Sequence, residues 1–249
     1  MVSIDTLKAQ ISAHPGTEYQ INQDLDLFDT PHLSTLATQA WAGRQLKFCC
    51  SPPSNLDEQG ALPVRLCEDD YPGWIDHQSL ACLQPAAHPY RPVSLTRDLI
   101  SARLPQVIAF MQTALQQANV YLWGGTLGPD FDCSGLIQRA FAQVGIWLPR
   151  DAYQQEAFTQ PLVNPGSSAA DLMRVLQPGD LIFFGLAEKA NHVALYLGDG
   201  QYIHSSGTDQ GRNRIGIDRL SAQGDRVTET YYSQIRGAGR VVRSYQSAS

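Results

Sequence analysis

The stretch from Tyr121 to Gly145 constrains the fold of this 249-residue chain more than any other. In it Leu136, Ile137, Ala140, Phe141 and Val144 recur at the spacing of one amphipathic helix face. Gly124, Gly125, Gly128 and Pro129 forbid regular structure before that run. Asp132 is a good N-cap and Gly145 a left-handed stop, so the predicted helix starts near Cys133. A thiol in the first turn of a helix lies where unpaired backbone N–H groups and the macrodipole favour a thiolate. Threes and fours from Cys133 reach Leu136, Ile137 and Ala140, so its sulfur faces the packed side. Cysteines are commonly small buried hydrophobes. A core cysteine, however, needs no glycine-rich approach, no Asp before it and no Ser after it, whereas a nucleophile met by a substrate backbone gains from all three.

The formal charge of −6 and the isoelectric point near 5.4 disfavour non-specific binding to nucleic acid or to anionic membrane. No apolar run approaches the ~20 residues of a bilayer-spanning helix. The first residues, Met-Val-Ser-Ile-Asp-Thr-Leu-Lys, have neither the basic start nor the apolar core of a signal peptide, so the expected location is the cytoplasm. Cys49, Cys50, Cys67, Cys82 and Cys133 lack zinc-type spacing, and neighbours such as Cys49 and Cys50 point to opposite faces of a strand. Reduced thiols, no metal, no cofactor and a monomer are expected.

Residues 1 to 16 read as a short helical or irregular lead-in. Short alternating pieces follow: Tyr19 to Ile21, Leu25 to Phe28, Leu46 to Phe48, Val64 to Leu66 and Trp74-Ile75. Turn-rich segments at Ser51 to Asn55 and Asp69 to Gly73 separate them, the layout of a small β-barrel. Leu33 to Ala40 has helical spacing and is expected to be a short helix or turn inside that barrel. The prolines of Gln84 to Pro92 favour an extended connector. The expected division is a barrel over 1–88, a linker over 89–98 and a second domain over 99–249. Leu99 to Ala118 reads as a helix that starts near Leu104, which keeps Pro105 in its first turn. A second helix is expected from Ala152 to Phe158, a buried strand from Leu181 to Phe184, and a closing strand near Gly239 to Val242.

A nucleophilic thiol needs a base, and the base an orienting partner. The hairpin formed by His192 to Leu197 and Gln201 to Ser205 offers both. With a three-residue loop of Gly198, Asp199 and Gly200, Tyr196 pairs with Tyr202 and Ala194 with His204. His192 and His204 then lie diagonally on one face, with backbones roughly 7–8 Å apart. A two-residue loop places them on opposite faces. His14, His32, His77 and His88 have no comparable setting.

Tyr121-Leu-Trp-Gly-Gly125, Asp132-Cys-Ser-Gly135, Asn191-His-Val-Ala194 and Tyr202-Ile-His-Ser205, in that order, resemble the NlpC family of papain-like cell-wall peptidases. The resemblance covers roughly Leu99 to Tyr245. The first domain resembles the bacterial SH3-like barrel that often precedes such a catalytic domain. An α+β fold is implied, with helices packed on an antiparallel sheet. The whole chain resembles the intracellular members that cleave γ-D-glutamyl-L-diamino-acid bonds in muropeptides and release L-Ala-γ-D-Glu. The resemblance implies Cys133 as nucleophile, His192 as general base and then acid, and His204 as the orienting residue. It implies that Tyr121 and the Cys133 backbone N–H stabilise the oxyanion. Trp123, Asp132, Ser134 and Asp151 match positions that line the pocket for the dipeptide part of the substrate. Ala152 departs from the pattern, since relatives often carry Ser there, which weakens one hydrogen bond expected to the D-Glu carboxylate but not the reaction.

In the barrel, Glu68-Asp-Asp-Tyr71 gathers three carboxylates beside a phenol. Such a run is commonly a solvated turn, but the resemblance places a barrel tyrosine, Tyr71, at the free N-terminal amine of L-Ala. A thiol amidase or acyltransferase on the same fold is the nearest alternative activity. A wall-binding module with an inert catalytic domain is another, and it requires a damaged triad.

Overall fold

The structure, a computed structural model, describes residues 9, 11, 13–14, 16–49, 60–163, 168–185 and 188–247. The expected lead-in over 1–16 and the turn at Ser51 to Asn55 fall largely or wholly outside them. The chain divides into two compact units, one of residues 1–92 with 246–249 and one of residues 93–245.

The first unit is an antiparallel sheet of β1 (Glu18–Ile21), β2 (Leu25–Phe28), β3 (Leu36–Ala40), β4 (Gln45–Phe48), β5 (Ala61–Leu66), β6 (Pro72–Asp76) and β7 (Leu83–Pro85), ordered β3-β2-β6-β5-β4-β1-β7. Alternate residues turn inward, and Tyr19, Ile21, Leu27, Leu46, Val64 and Ile75 form the core. In place of the expected short helix or turn at Leu33 to Ala40, Leu36–Ala40 is strand β3, which pairs with β2 through Leu25 opposite Ala40 and Leu27 opposite Thr38. Cross-strand pairing outweighs a helical spacing of so few residues, and burial of Thr38 and Ala40 follows period two. Pro85, read as connector, ends edge strand β7, where its missing N–H breaks no ladder bond.

In the second unit α1 (Arg97–Leu115) is capped by Thr96, whose hydroxyl accepts from Leu99 N at 3.4 Å. It starts well before Leu104 and carries Pro105 inside it. Ser101, whose carbonyl loses its partner to Pro105, and Pro105 itself are exposed, so water can take that carbonyl. Helices α2 (Cys133–Ala142), α3 (Ala152–Phe158), α4 (Ala169–Val175) and α5 (Arg226–Ser233) accompany a six-stranded sheet. Its strands are β8 (Gln160–Pro161), β9 (Leu181–Phe184), β10 (His192–Gly198), β11 (Gln201–Ser206), β12 (Arg214–Arg219) and β13 (Ile235–Arg240), ordered β12-β11-β10-β9-β13-β8. Val107 and Met111 of α1 and Leu136, Ile137 and Phe141 of α2 pack with Val193, Leu195, Ile203 and Ile215. Val227 and Tyr231 of α5 pack with Ile182, Phe184, Ala194 and Tyr202, the alternate residues of the same strands. The fold class is α+β. No helix among the described residues is long and apolar enough to cross a membrane.

The hairpin keeps the required parity by another route. Gly198 pairs with Gln201, so the loop is the two residues Asp199 and Gly200, both at positive φ (51° and 73°), the geometry of a type I′ turn. The register then shifts, Tyr196 pairs with Tyr202, and Leu197 is a bulge. One bulged residue restores the face that a two-residue loop would have reversed.

Candidate active site

Helix α2 begins at Cys133 because Asp132 caps it, its Oδ1 accepting from Gly135 N at 2.6 Å. Oδ2 of the same carboxylate accepts from Gly124 N at 2.9 Å, which ties the glycine-rich loop to the helix start. A Cβ at position 135 would stand 2.1 Å from the Gly125 carbonyl oxygen, so only glycine permits this approach. Arg150, itself buried, clamps Asp132 through Nη2 to Oδ2 (2.6 Å) and Nη1 to Oδ1 (3.1 Å), and also donates to Ser134 Oγ (3.0 Å). Asp132 and Ser134, expected to line the dipeptide pocket, are thus engaged inside the protein. The Asp132 carboxylate meets two backbone N–H groups, the Ser134 hydroxyl and a guanidinium, which together fix the helix start against the glycine-rich loop.

The Cys133 side chain is buried beside β10, and its sulfur accepts from the backbone N–H groups of Val193 and Ser134. Burial and then the Asp132 charge push the thiol up to about 12, against those donors and Arg150. Burial thus opposes the stabilisation that the helix start offers a thiolate.

His192 Nε2 lies 2.7 Å from His204 Nδ1, and His204 Nε2 lies 2.7 Å from Asp218 Oδ2 on β12. Both imidazoles are buried. Burial, then the neighbouring His204, holds His192 well below its ordinary value. Burial lowers His204 too, opposed by its hydrogen bond to Asp218. The pair sits among aromatic rings: Tyr231 stacks on His192 at 4.3 Å and 25°, Phe184 is 5.7 Å from His192, and Tyr202 is 5.2 Å from His204. The Tyr121 phenol, partly buried, is raised by burial and then by the nearby Cys133, so it stays protonated and can donate.

Thus the second unit brings Tyr121, Asp132, Cys133, Ser134, His192 and His204 into one region. Trp123 stands 66% exposed, and Asp151 is the N-cap of α3, with its backbone N–H on Gln154 Oε1 at 3.0 Å. Tyr71 belongs to the first unit, in the turn before β6. There Glu68 and Asp69 are buried, not solvated. Arg44 Nε donates to Glu68 at 3.0 Å and Nη2 to Asp69 at 2.8 Å. Those two carboxylates are paired with a guanidinium within the first unit. No cluster of metal-ligating side chains occurs among the described residues.

Arg150, Asp218, Arg212 and Tyr231 were not anticipated. The signal for Asp218 lay in Arg-Ile-Gly-Ile-Asp-Arg: read as a strand beside β11, it pairs Gly216 with His204 and Asp218 with Tyr202, all on one face.

A thiol at a helix start, an imidazole pair behind it and a protonated phenol beside it form the constellation of a papain-like cysteine peptidase. Residues 118–236 match the NlpC/P60 family, and residues 27–80 match the bacterial dipeptidyl-peptidase SH3 domain. The chain carries an NlpC/P60 domain with an SH3 domain before it. It is similar to a Mycobacterium tuberculosis protein named as an endopeptidase, 41% identical over 99 residues that are 39% of this chain and 23% of that one. It is also similar to the bifunctional muramidase/DL-endopeptidase CwlT of Bacillus subtilis, 29% identical over 140 residues (54% of this chain, 37% of that one). A third relative is the gamma-D-glutamyl-L-lysine dipeptidyl-peptidase of Bacillus cereus, 41% identical over 88 residues (34% and 24%). The chain thus spans well under half the length of these relatives. Among solved structures, an NlpC/P60 family protein from Bacillus cereus aligns with 91% of this chain and 64% of its own, at 21% identity and a TM-score of 0.46.

Proposed function

We propose that the protein is a cysteine endopeptidase that hydrolyses the γ-D-glutamyl-L-diamino-acid bond of free muropeptides such as L-Ala-γ-D-Glu-diaminopimelate, in the cytoplasm, during peptidoglycan recycling. The observation that carries the reading is the 2.7 Å contact of His192 with His204 beside a thiol at the start of α2. The match to the bacterial dipeptidyl-peptidase SH3 domain and the likeness to the gamma-D-glutamyl-L-lysine dipeptidyl-peptidase of Bacillus cereus support the choice of bond.

Burial favours a resting pair of neutral thiol and neutral imidazole. As the sulfur attacks the γ-carbonyl, its proton passes to His192. The oxyanion forms against the Cys133 backbone N–H, unpaired at the helix start, and the Tyr121 hydroxyl. His192 then gives the proton to the departing amine of the diamino acid, and water hydrolyses the thioester with His192 as base. Mass spectrometry of the tripeptide incubated with the protein tests the reading. Release of L-Ala-γ-D-Glu and free diaminopimelate is expected, and an intact tripeptide, or a cut at the L-Ala bond, overturns it.

A further inference from the structure

Two imidazoles joined by one hydrogen bond can hold its proton in two ways. Either His192 donates from Nε2, leaving its Nδ1 bare, or His204 donates from Nδ1, and a neutral His192 then carries its proton on Nδ1. Only the first leaves His192 a base on the side away from His204, and the pair cannot choose between them, because each arrangement has the same number of bonds.

Strand β12 makes the choice. Asp218 Oδ2 is 2.7 Å from His204 Nε2, and an ionised carboxylate only accepts, so Nε2 must bear the proton. Neutral His204 then has a bare Nδ1, which can only accept, and His192 must donate to it from Nε2. His192 Nδ1 is left without a proton. The Tyr231 hydroxyl, 3.5 Å away on a ring stacked over the imidazole, lies out of the ring plane and is engaged with Ser206 Oγ at 2.9 Å. Asp218 is itself held, since Arg212 Nη2 binds Oδ1. That guanidinium occupies the space over Gly216, opposite His204 on the neighbouring strand. A Cβ at 216 would lie 2.1 Å from Nη1 and 2.5 Å from Cζ of Arg212.

We propose that Asp218, fixed by Arg212 over Gly216, is a positioning residue that sets the tautomers of His204 and His192 and so makes His192 Nδ1 the base for Cys133. The proposal rests on the thiol chemistry of the preceding section, but the tautomers can be read without any substrate.

Asp218→Asn is the sharpest variant. Arg212 is a donor only, so it holds the amide oxygen at the Oδ1 site and turns the amide NH₂ toward His204 Nε2. That nitrogen must then accept, and the whole file reverses. The expected loss in kcat is about 10²–10⁴-fold with KM little changed, the size of a wrong-tautomer defect. Adding Arg212→Met lets the amide turn its oxygen back to His204, so the double variant is expected to exceed Asp218→Asn by at least about tenfold. Long-range ¹H–¹⁵N spectra of the unsubstituted protein at pH 8 are expected to show Nε2–H on both histidines, and those of Asp218→Asn to show Nδ1–H on His192. A proton on Nδ1 of His192 in the unsubstituted protein overturns the proposal, whether or not the variants fold. So does a double variant no better than the single one, or a single variant within about threefold of the parent. If the unsubstituted protein cleaves no muropeptide, the spectra still decide the tautomers, and the two failures are told apart.

Discussion

Each unit pairs an arginine with carboxylates, and the two clusters end differently. In the barrel, Arg44 binds Glu68 and Asp69, whose oxygens also accept from the backbone N–H groups of Gln45 (2.7 Å) and Tyr71 (3.3 Å). Those hydrogen bonds end on backbone or on a guanidinium, and the turn holds Asp70 at φ 56°. In the catalytic unit, the carboxylate beyond Arg212 ends on His204, a group that can exchange protons. The same pairing of guanidinium and carboxylate pins a chain in one place and a proton in the other. Disturbing the first should cost stability, and disturbing the second should cost rate.

The largest effect expected is on rate alone. Cys133→Ser keeps the size of the side chain but not the nucleophile, and kcat/KM should fall at least about 10³-fold with the circular dichroism spectrum and the unfolding midpoint unchanged. Activity within tenfold of the parent would take Cys133 out of the chemistry. Next comes stability alone. Arg44→Met leaves Glu68 and Asp69 buried without their cation, and urea unfolding of the barrel should be weakened by about 3–5 kcal/mol. Alkylation of Cys133 in the other unit should proceed at the parental rate, and a changed rate would show that the clusters are not independent.

A smaller effect concerns acid. His192 and His204 are both held below the ordinary 6.5 in the folded state. Below pH 6.5 the unfolded chain takes up protons that the folded chain refuses, so their contribution is complete above pH 6.5 and declines as pH falls. With two groups the limiting slope is about 2.7 kcal/mol per pH unit, to be read from urea melts between pH 7.5 and 5. A flat profile would mean that the two imidazoles take up protons in the folded protein as they do in the unfolded chain, and a profile of opposite slope that folding holds them charged. The smallest effect is on labelling. Because burial holds the Cys133 thiol up at about 12, its iodoacetamide rate should rise about tenfold per pH unit from 7 to 10. A plateau near neutrality would restore the thiolate that the helix start suggested.

Local signals made α2 legible: a cap, an apolar stripe and a glycine stop act within a few residues, and the helix runs from Cys133 as expected. The strands of both sheets were also readable where alternation or an apolar run was plain, as in Leu25 to Phe28 and Leu181 to Phe184. What escaped depends on partners distant in sequence. Leu36–Ala40 is a strand because β2 lies beside it, and Asp218 matters because β11 places it next to His204. Arg150 reads as a surface arginine until α2 is packed over it. The burial of the thiol escaped for a related reason: the dipole is a property of the helix alone, while desolvation is supplied by everything that covers it.

The bulge at Leu197 gives the hairpin of His192 and His204 a rule for insertions and deletions. Losing that one residue would leave a regular two-residue turn with Tyr196 still opposite Tyr202, so His192 and His204 would keep their shared face. Losing one residue of the paired stretch between His192 and Tyr196 would instead turn one imidazole to the opposite face, whereas losing two would restore the phase. The hairpin thus behaves like a reading frame with one spare letter: the bulge absorbs a single step, and an odd step within the paired strands silences the chemistry while sparing the sheet.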